Sequence, residues 1–469
     1  MFEDTYWHRD LETMPREQLT VLKEKRLRRM VWYVWQNSAF YRRKFEAAGV
    51  HPEDIRTLDD LRKIPVTTKP EIRGNQAKCL EEGKLPYADI LCVDHKEVVT
   101  MVQTSGTTGK AFIKPWTDYD GCVQSMIFGI LGTRGLWSAG LRGNDLLMFC
   151  WSIGGSKVGG SSHFLSMAGY PKFFPFTVIT GHVGRSRQQL ETMRDLGVTA
   201  FYGTASYVTY LGELAREIGM DPPRDFKLRK IFVHGEAGPT AVPALRTRIQ
   251  EVWGCDCYDI WGQIETGPRG HECVHKAGMH ISDDFHVFEV LDPDTHEPVG
   301  PGEIGDLTVT ELDCQAAPLL RCPTHDLVKL DYDVCECGRT AARIVKIMGR
   351  ADEMVKVRSL RFFPSDVHNV VEKIPGSSGK YLIILDKDAS NRDTFLVRVE
   401  HAEGITDLEA FRQLVLKEVK TALGLTPEVE VVPQGTLERS FLKTATILDL
   451  RNPETREKYK ERVELFRPF

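Results

Sequence analysis

The stretch Thr104-Ser105-Gly106-Thr107-Thr108-Gly109-Lys110 gathers four hydroxyls, two glycines and a lysine into seven consecutive residues. Glycine lets the backbone approach a ligand closely, and successive N–H groups can form a concave donor set for an anion. With the hydroxyls and the lysine added, the chemistry is that of holding a polyphosphate. The spacing is not that of a Walker A loop, which needs four residues between its glycines and Ser or Thr after the lysine. Here two residues separate Gly106 from Gly109, and Ala111 follows the lysine. Taken alone, the same composition also describes a flexible surface loop. A second candidate is Cys335 with Cys337 in VCECGR, two thiols able to face one centre ahead of a glycine that can turn the chain.

Such residues need a scaffold, and the hydrophobic pattern supplies one. Val98 to Val102 is rich in β-branched residues and reads as a strand that ends in the glycine loop. Further strand-like runs are Asp145 to Cys150, Thr199 to Tyr202, Lys230 to His234 and Cys257 to Trp261. Between them lie helical stretches at Arg187 to Leu196, Tyr207 to Ile218 and Thr240 to Val252. This alternation implies an α/β fold, with parallel strands joined by crossover helices and covered on both faces. Ligands in such sheets bind beyond the carboxyl ends of the strands. That rule marks the glycine loop, His234-Gly235-Glu236-Ala237-Gly238-Pro239 and Trp261-Gly262-Gln263-Ile264-Glu265-Thr266-Gly267. Upstream, Pro15 to Ala48 has helical spacing, and Thr57 to Asp60 resembles a capped helix start.

The pattern changes near Met279. Phe285 to Val290 and Asp306 to Thr310 alternate around turn-rich segments, which favours antiparallel strands and a small distorted β-barrel. It changes again after Gly349-Arg350, where strands at Tyr381 to Asp386 and Phe395 to Val399, a helix from Asp407 to Leu423 and a strand from Glu428 to Val432 form a compact α+β unit. The domain boundary therefore falls near Arg350 to Asp352.

Composition narrows the class of protein. A chain of 469 residues exceeds what one core usually supports, so two or three domains are expected. A net charge of −5 argues against a nucleic-acid or anionic-membrane surface. No apolar run approaches the ~18 residues of a membrane span, and the polar, acidic N-terminus is unlike a signal peptide, so a cytoplasmic location is the expectation. The eleven cysteines, an odd number scattered through the chain, are no disulfide framework and fit a reducing compartment.

With these pieces placed, the chain resembles the adenylate-forming superfamily of acyl-CoA synthetases, peptide-synthetase adenylation domains and luciferases. Within it the likeness is to the phenylacetate–CoA ligase family. The resemblance is carried by SAFYRRKFEAAGVHPEDIRTLDDLRKIPVTTK, TSGTTGK, DIWGQIETG, PLLRCPTHD, CECGRT, GRADEMVKV with RFFP downstream, and LERSFLK, in the family's order. It implies a large N-terminal α/β domain over 1–349, with a barrel-like portion at 279–348, and a small mobile C-terminal domain over 350–469 with a hinge near 350–353. It implies two-step chemistry with ATP, Mg²⁺ and coenzyme A. A carboxylate attacks the α-phosphate of ATP to give acyl-AMP and pyrophosphate, then the coenzyme A thiol displaces AMP.

The resemblance also implies roles. Thr104 to Lys110 would cradle the β- and γ-phosphates with Thr107 near the metal, and Glu265 would bind Mg²⁺. Asp326 would accept from the ribose hydroxyls, and Glu236, Asp259 and Trp261 would surround adenine. Arg350 and Asp352 fall at the hinge, with Arg350 also on the nucleotide side. Lys443 would reach the acyl-phosphate, where a positive charge stabilises negative charge developing in the transition state. The acid would lie between segments containing Trp151 and Ser152 and containing Tyr202 and Gly203. Relatives carry Cys and His positions similar to Cys273, His280, Cys335 and Cys337, a set able to form a structural Cys₃His zinc site, with His271 and His275 as rival ligands.

Two departures bear on the acceptor. Ser359 stands where the family usually has glycine, and Ser440-Phe441-Leu442-Lys443 replaces the usual SEGK. The expected activity is therefore an acid–CoA ligase for phenylacetate or another aryl acid. Beside it stand a ligase for a small branched or hydroxylated aliphatic acid such as a 2-hydroxy acid, and an adenylating enzyme that passes the acyl group to a carrier-protein thiol or an amine. A non-catalytic nucleotide sensor is disfavoured by the retention of Lys110, Glu265, Asp326 and Lys443. The expected partners are small molecules, and the expected assembly is a monomer or homodimer.

Overall fold

Ser38 divides the helical N-terminal run in two. The helix Arg16–Asn37 ends there, and the Ser38 hydroxyl accepts the Tyr41 N–H to start a second helix, Ala39–Ala48. The stretch Pro15 to Ala48 is thus not one helix, because a serine side chain offers the backbone a cap in place of another turn. Gly49, at φ 65°, closes the second helix. The capped start at Thr57 is present as a 3₁₀ helix, Leu58–Lys63, with Asp60 accepting the Thr57 N–H at 2.9 Å. The inner faces bury Leu27, Val31, Val34, Tyr41 and Phe45 against Leu312, Leu319 and Leu320. Burying each such large side chain contributes about 1.5–3 kcal/mol.

The computed structural model describes residues 5–103, 112–124, 129–150, 177–181, 184–263, 265–267, 269–357, 360–388, 390–437 and 446–458. They divide into two compact units. The first comprises 1–203, 211–235 and 250–347, and the second comprises 204–210, 236–249 and 348–469.

In the first unit, β1 (Thr100–Gln103) pairs antiparallel with β2 (Ile113–Trp116), with Val102 opposite Lys114. The strand read at Val98 to Val102 therefore lies in a separate two-stranded sheet. The large sheet contains the parallel strands β3 (Leu146–Phe149), β4 (Thr177–Thr180), β5 (Ala200–Gly203), β6 (Lys230–Val233) and β7 (Asp256–Gly262). Six residues separate β7 from β8 (Arg269–Glu272). Such a link is too short for the crossover a parallel pair requires, about a dozen residues, so β8 returns antiparallel. From there β9 (Met279–Ile281), β10 (His286–Leu291), β11 (Gly305–Glu311), β12 (Cys322–Asp331) and β13 (Arg343–Arg350) continue the same sheet. Among the described residues its strands run β10-β11-β12-β13-β9-β8-β7-β6-β5-β3-β4. The barrel-like antiparallel portion is thus hydrogen-bonded directly onto the parallel one. Leu136, Leu147, Phe149, Tyr202, Phe232 and Tyr258 form the core beneath the parallel strands. No helix among the described residues is long and apolar enough to cross a membrane.

The second unit carries β14 (Val355–Val357) paired with β15 (Leu360–Phe362), and a sheet of β16 (Ser377–Lys387), β17 (Asp393–His401), β18 (Glu428–Val432) and β19 (Ile447–Asp449) in the order β18-β17-β16-β19. Asn391, at φ 61°, turns β16 into β17, with Asp388 accepting backbone N–H groups of Ser390 and Arg392. Helices Pro364–Val371 and Leu408–Leu423 bury Val367, Val371, Val415 and Val419 against Ile383, Leu385, Val397 and Val399.

Candidate active site and metal cluster

The end of β7 and a bulge in β12 bring two of the expected nucleotide residues together. Pairing of β11 with β12 shifts between Asp306, opposite Leu327, and Thr308, opposite Pro323. Three residues of β12 therefore face one of β11, and the extra length turns Thr324-His325-Asp326 out of the ladder. His325 takes φ 66°, and its N–H donates to Asp306 Oδ1 at 2.9 Å. So presented, Asp326 Oδ2 accepts from Trp261 Nε1 at 2.9 Å and from Gln263 Nε2 at 3.3 Å. Gln263 Nε2 also donates to the Thr324 carbonyl at 2.8 Å. Two donors from β7 and the residue after it thus fix the plane of the carboxylate.

Glu265 follows on the same loop and is buried. Its Oε1 lies 2.9 Å from Lys69 Nζ, and its backbone carbonyl accepts from Lys114 Nζ at 2.7 Å. Lys114 is itself paired with Glu311, 2.7 Å from each carboxylate oxygen, with both side chains essentially inaccessible. The next carbonyl, Thr266, accepts from His286 Nε2 at 3.1 Å, while His286 Nδ1 accepts from the Ser282 hydroxyl at 2.9 Å. Burial pulls the His286 pKa down to about 4, which keeps the ring neutral. Mg²⁺ carried with ATP takes one or two carboxylates beside phosphate oxygens. Glu265 supplies such an oxygen, and the buried Thr266 Oγ1 has no hydrogen-bond partner among the described residues, so this segment fits the ion.

Lys69, Lys114, Glu311 and His286 join the site without a sequence motif that marks their roles. Lys69 ends the VTTK segment, and the other three lie on β2, β11 and β10, where a lone polar side chain reads locally as facing solvent.

The remaining candidates are placed as follows. Asp259 is buried on β7, and its N–H donates to Glu272 Oε2 at 2.8 Å. Tyr202 is fully buried, its ring 5.3 Å from Phe149 and 6.5 Å from Phe232, in the core under the parallel strands. Gly203 ends β5, where a Cβ would stand 2.8 Å from the Phe201 ring. In the second unit, Glu236 accepts from the Ser206 N–H and, at 3.0 Å, from the Ser206 hydroxyl, occupying both its oxygens at the start of helix Ala205–Glu217. Arg350 forms a forked pair with Asp352, 3.0 Å from Oδ1 and 2.8 Å from Oδ2. The loop Thr104 to Lys110 including Thr107, as well as Trp151, Ser152, Ser359, Ser440, Leu442 and Lys443, lies outside the described residues.

Cys273, His280, Cys335 and Cys337 converge, all buried, with their ligand atoms within 4.8 Å of one another. Cys273 Sγ and Cys335 Sγ are 3.8 Å apart, and Cys337 Sγ lies 3.4 Å from His280 Nε2. A tetrahedron with Zn–S bonds of about 2.3 Å and Zn–N of about 2.0 Å requires separations of roughly 3.8 and 3.5 Å, so this set fits a structural zinc. The hydrogen bond from His280, the leading influence on Cys335, holds that thiol below the usual thiol range. The elements behind the cluster are specific. Gly338, at φ 84°, turns the chain after Cys337, and a Cβ there would meet the Tyr6 hydroxyl at 2.2 Å. That hydroxyl donates to the Cys337 carbonyl at 2.8 Å, and Arg339 pairs with buried Glu12 at 2.7 Å. Of the rival ligands, His271 packs on Gly135, where a Cβ would come within 2.0 Å of its ring, and His275 pairs with Glu336 at 3.1 Å.

Comparison with known proteins gives the family. Residues 359–451 match the family model described as the AMP-binding enzyme C-terminal domain. A phenylacetate-coenzyme A ligase of Thermus thermophilus is 32% identical over 463 residues, covering 94% of this chain and 99% of that protein. The chain belongs to the phenylacetate–CoA ligase family of adenylate-forming enzymes. The Pseudomonas putida phenylacetate-coenzyme A ligase is 31% identical over 452 residues, covering 94% of this chain and 97% of that one. The crystal structure of 2-hydroxyisobutyryl-CoA ligase in the postadenylation state, in complex with 2-HIB-AMP, aligns at 28% identity with a TM-score of 0.85, covering 99% of this chain and 96% of that one. As a member of the phenylacetate–CoA ligase family, the protein is an AMP-forming acid–CoA ligase.

Proposed function

We propose that the acid is phenylacetate or another aryl acid, activated as acyl-AMP and transferred to coenzyme A. The observation that carries this reading is identity of 30–32% sustained over nearly the whole chain with several phenylacetate-coenzyme A ligases. In this account Asp326, its carboxylate plane set by Trp261 and Gln263, accepts from the ribose hydroxyls, and Trp261 presents its ring to the base. Glu265 takes the metal that accompanies ATP, and Mg²⁺ bound there would offset phosphate charge. Thr104 to Lys110 hold the β- and γ-phosphates as the leaving pyrophosphate. Lys443 stabilises negative charge as the acid attacks the α-phosphate. Glu236, Asp259 and Arg350 serve the nucleotide, Arg350 with Asp352 forms the hinge pair, and Trp151, Ser152, Tyr202 and Gly203 belong to the acid side. Cys273, His280, Cys335 and Cys337 hold a structural zinc that ties the strand after the Glu265 loop to the segment between β12 and β13. The eleven cysteines, none of them in a disulfide, support a cytoplasmic enzyme, working as a monomer or homodimer.

A second reading, a small 2-hydroxy acid, is supported by the TM-score of 0.85 to 2-hydroxyisobutyryl-CoA ligase. Pyrophosphate release with a panel of aryl and 2-hydroxy acids, each with and without coenzyme A, separates the two. The account expects phenylacetate or a substituted benzoate to give the highest kcat/KM. A higher value for 2-hydroxyisobutyrate would reverse the assignment, and turnover unaffected by coenzyme A would point instead to a carrier thiol or an amine.

A further inference from the structure

Two successive carbonyls of the segment carrying Glu265 are held from the protein interior, by Lys114 and by His286. Lys114 is the more unusual of the two. Its side chain is fully buried, and its Nζ divides its hydrogen bonds between Glu311 and the Glu265 carbonyl, each at 2.7 Å. Glu311 Oε2 also accepts the Leu319 N–H at 2.8 Å, which fixes the carboxylate. A buried ion pair is costly to desolvate, and a hydrophobic pair of similar volume often serves stability as well or better. What a hydrophobic pair cannot do is grip the Glu265 carbonyl. Lys114 lies on β2 opposite Val102, so the grip also ties Glu265 to the strand that runs into the glycine loop.

We propose that Lys114 is a positioning residue for the metal–nucleotide site, fixing the backbone of Glu265 and hence the direction of its carboxylate. This rests on the reading of Glu265 as the Mg²⁺ ligand. Groups that orient a metal ligand typically change metal affinity or activity by about 10–100-fold when removed.

The test is calorimetric binding of Mg²⁺–ATP, and of ATP in EDTA, to the full chain. The double variant Lys114→Met/Glu311→Gln leaves no buried charge, keeps an amide oxygen for the Leu319 N–H, and should melt close to the parent. It should bind Mg²⁺–ATP at least about tenfold more weakly, with metal-free ATP unchanged. Parent-like Mg²⁺–ATP affinity in the folded double variant would overturn the proposal, because the pair would then be structural only. Should that variant fail to fold, Lys114→Met/Glu311→Leu decides by the same measure: weaker Mg²⁺–ATP binding with metal-free ATP unchanged supports the grip on the Glu265 carbonyl, and parent-like binding overturns it. Glu265→Gln is measured in parallel. If it binds Mg²⁺–ATP like the parent, the reading of Glu265 itself fails and the positioning role falls with it. If Glu265→Gln is weakened and the double variant is not, the positioning role alone fails.

Discussion

Lys69 Nζ stands 2.9 Å from Glu265 Oε1, so the carboxylate assigned to the metal already has a cationic neighbour at the first residue of helix Lys69–Glu81. Both side chains are mostly withdrawn from solvent, 14% and 10% exposed, where screening by water is weak. Glu265→Gln should slow acyl-adenylate formation by about 10–100-fold and raise the Mg²⁺ required. Thioester formation from supplied acyl-AMP should change much less. Following both half-reactions checks this, and equal losses in the two would remove Glu265 from the metal.

Trp261→Phe keeps an aromatic ring and deletes one donor to Asp326. A hydrogen bond to a charged group is worth about 1.5–3 kcal/mol, so KM for ATP should rise at least about tenfold with a smaller change in kcat. Asp326→Asn should do at least as much. Steady-state kinetics with ATP varied at saturating acid would show it, and an unchanged KM in both variants would detach this carboxylate from the nucleotide.

The parallel half of the sheet was legible because each buried strand and each crossover helix has its own period, as at Lys230 to His234 and Thr240 to Val252. The turn at Gly338 was legible for a similar reason, since glycine readily takes that backbone angle. The break at Ser38 was hidden because the apolar spacing runs on through it and only the serine signals the cap. Lys114 and Glu311 were hidden more deeply. Each ends up buried only because a distant strand supplies its partner, and local pattern reads a lone charge in a strand as solvent-facing. The Cys273–His280–Cys335–Cys337 convergence lay between these cases, its spacing visible but its closure dependent on the order of β8, β9, β12 and β13.

The cysteine cluster predicts about one zinc per chain in protein purified without chelator. Cys337→Ser should lose that metal and lower the thermal midpoint, and treatment with a strong chelator should lower the parent's midpoint in the same way. Elemental analysis with thermal melts measures both. Metal content near zero in folded, untreated protein would leave the four residues as an ordinary buried cluster.

His286 makes a prediction about pH. Its pKa in the folded chain is pulled down to about 4 from an ordinary 6.5, so the unfolded chain binds more protons between those values. The stability it contributes is fully present above pH 6.5 and is lost as pH falls from 6.5 toward 4. His286→Gln keeps a donor for the Thr266 carbonyl without a titrating ring, and should flatten part of that fall. Denaturant unfolding of both proteins between pH 4 and 7 compares them, and identical slopes would assign the pH dependence to other groups.

The central claim is that ATP chemistry occurs at the α-phosphate and precedes thioester formation. A single-turnover experiment with excess enzyme, acid and ATP but no coenzyme A tests it most directly. The account predicts acid-dependent release of pyrophosphate, enzyme-bound acyl-AMP, and conversion of that adenylate to acyl-CoA and AMP when coenzyme A is added. Lys443→Ala should slow only the first step, by about 10²–10³-fold. Release of ADP and phosphate, or pyrophosphate release only after coenzyme A is added, would contradict it.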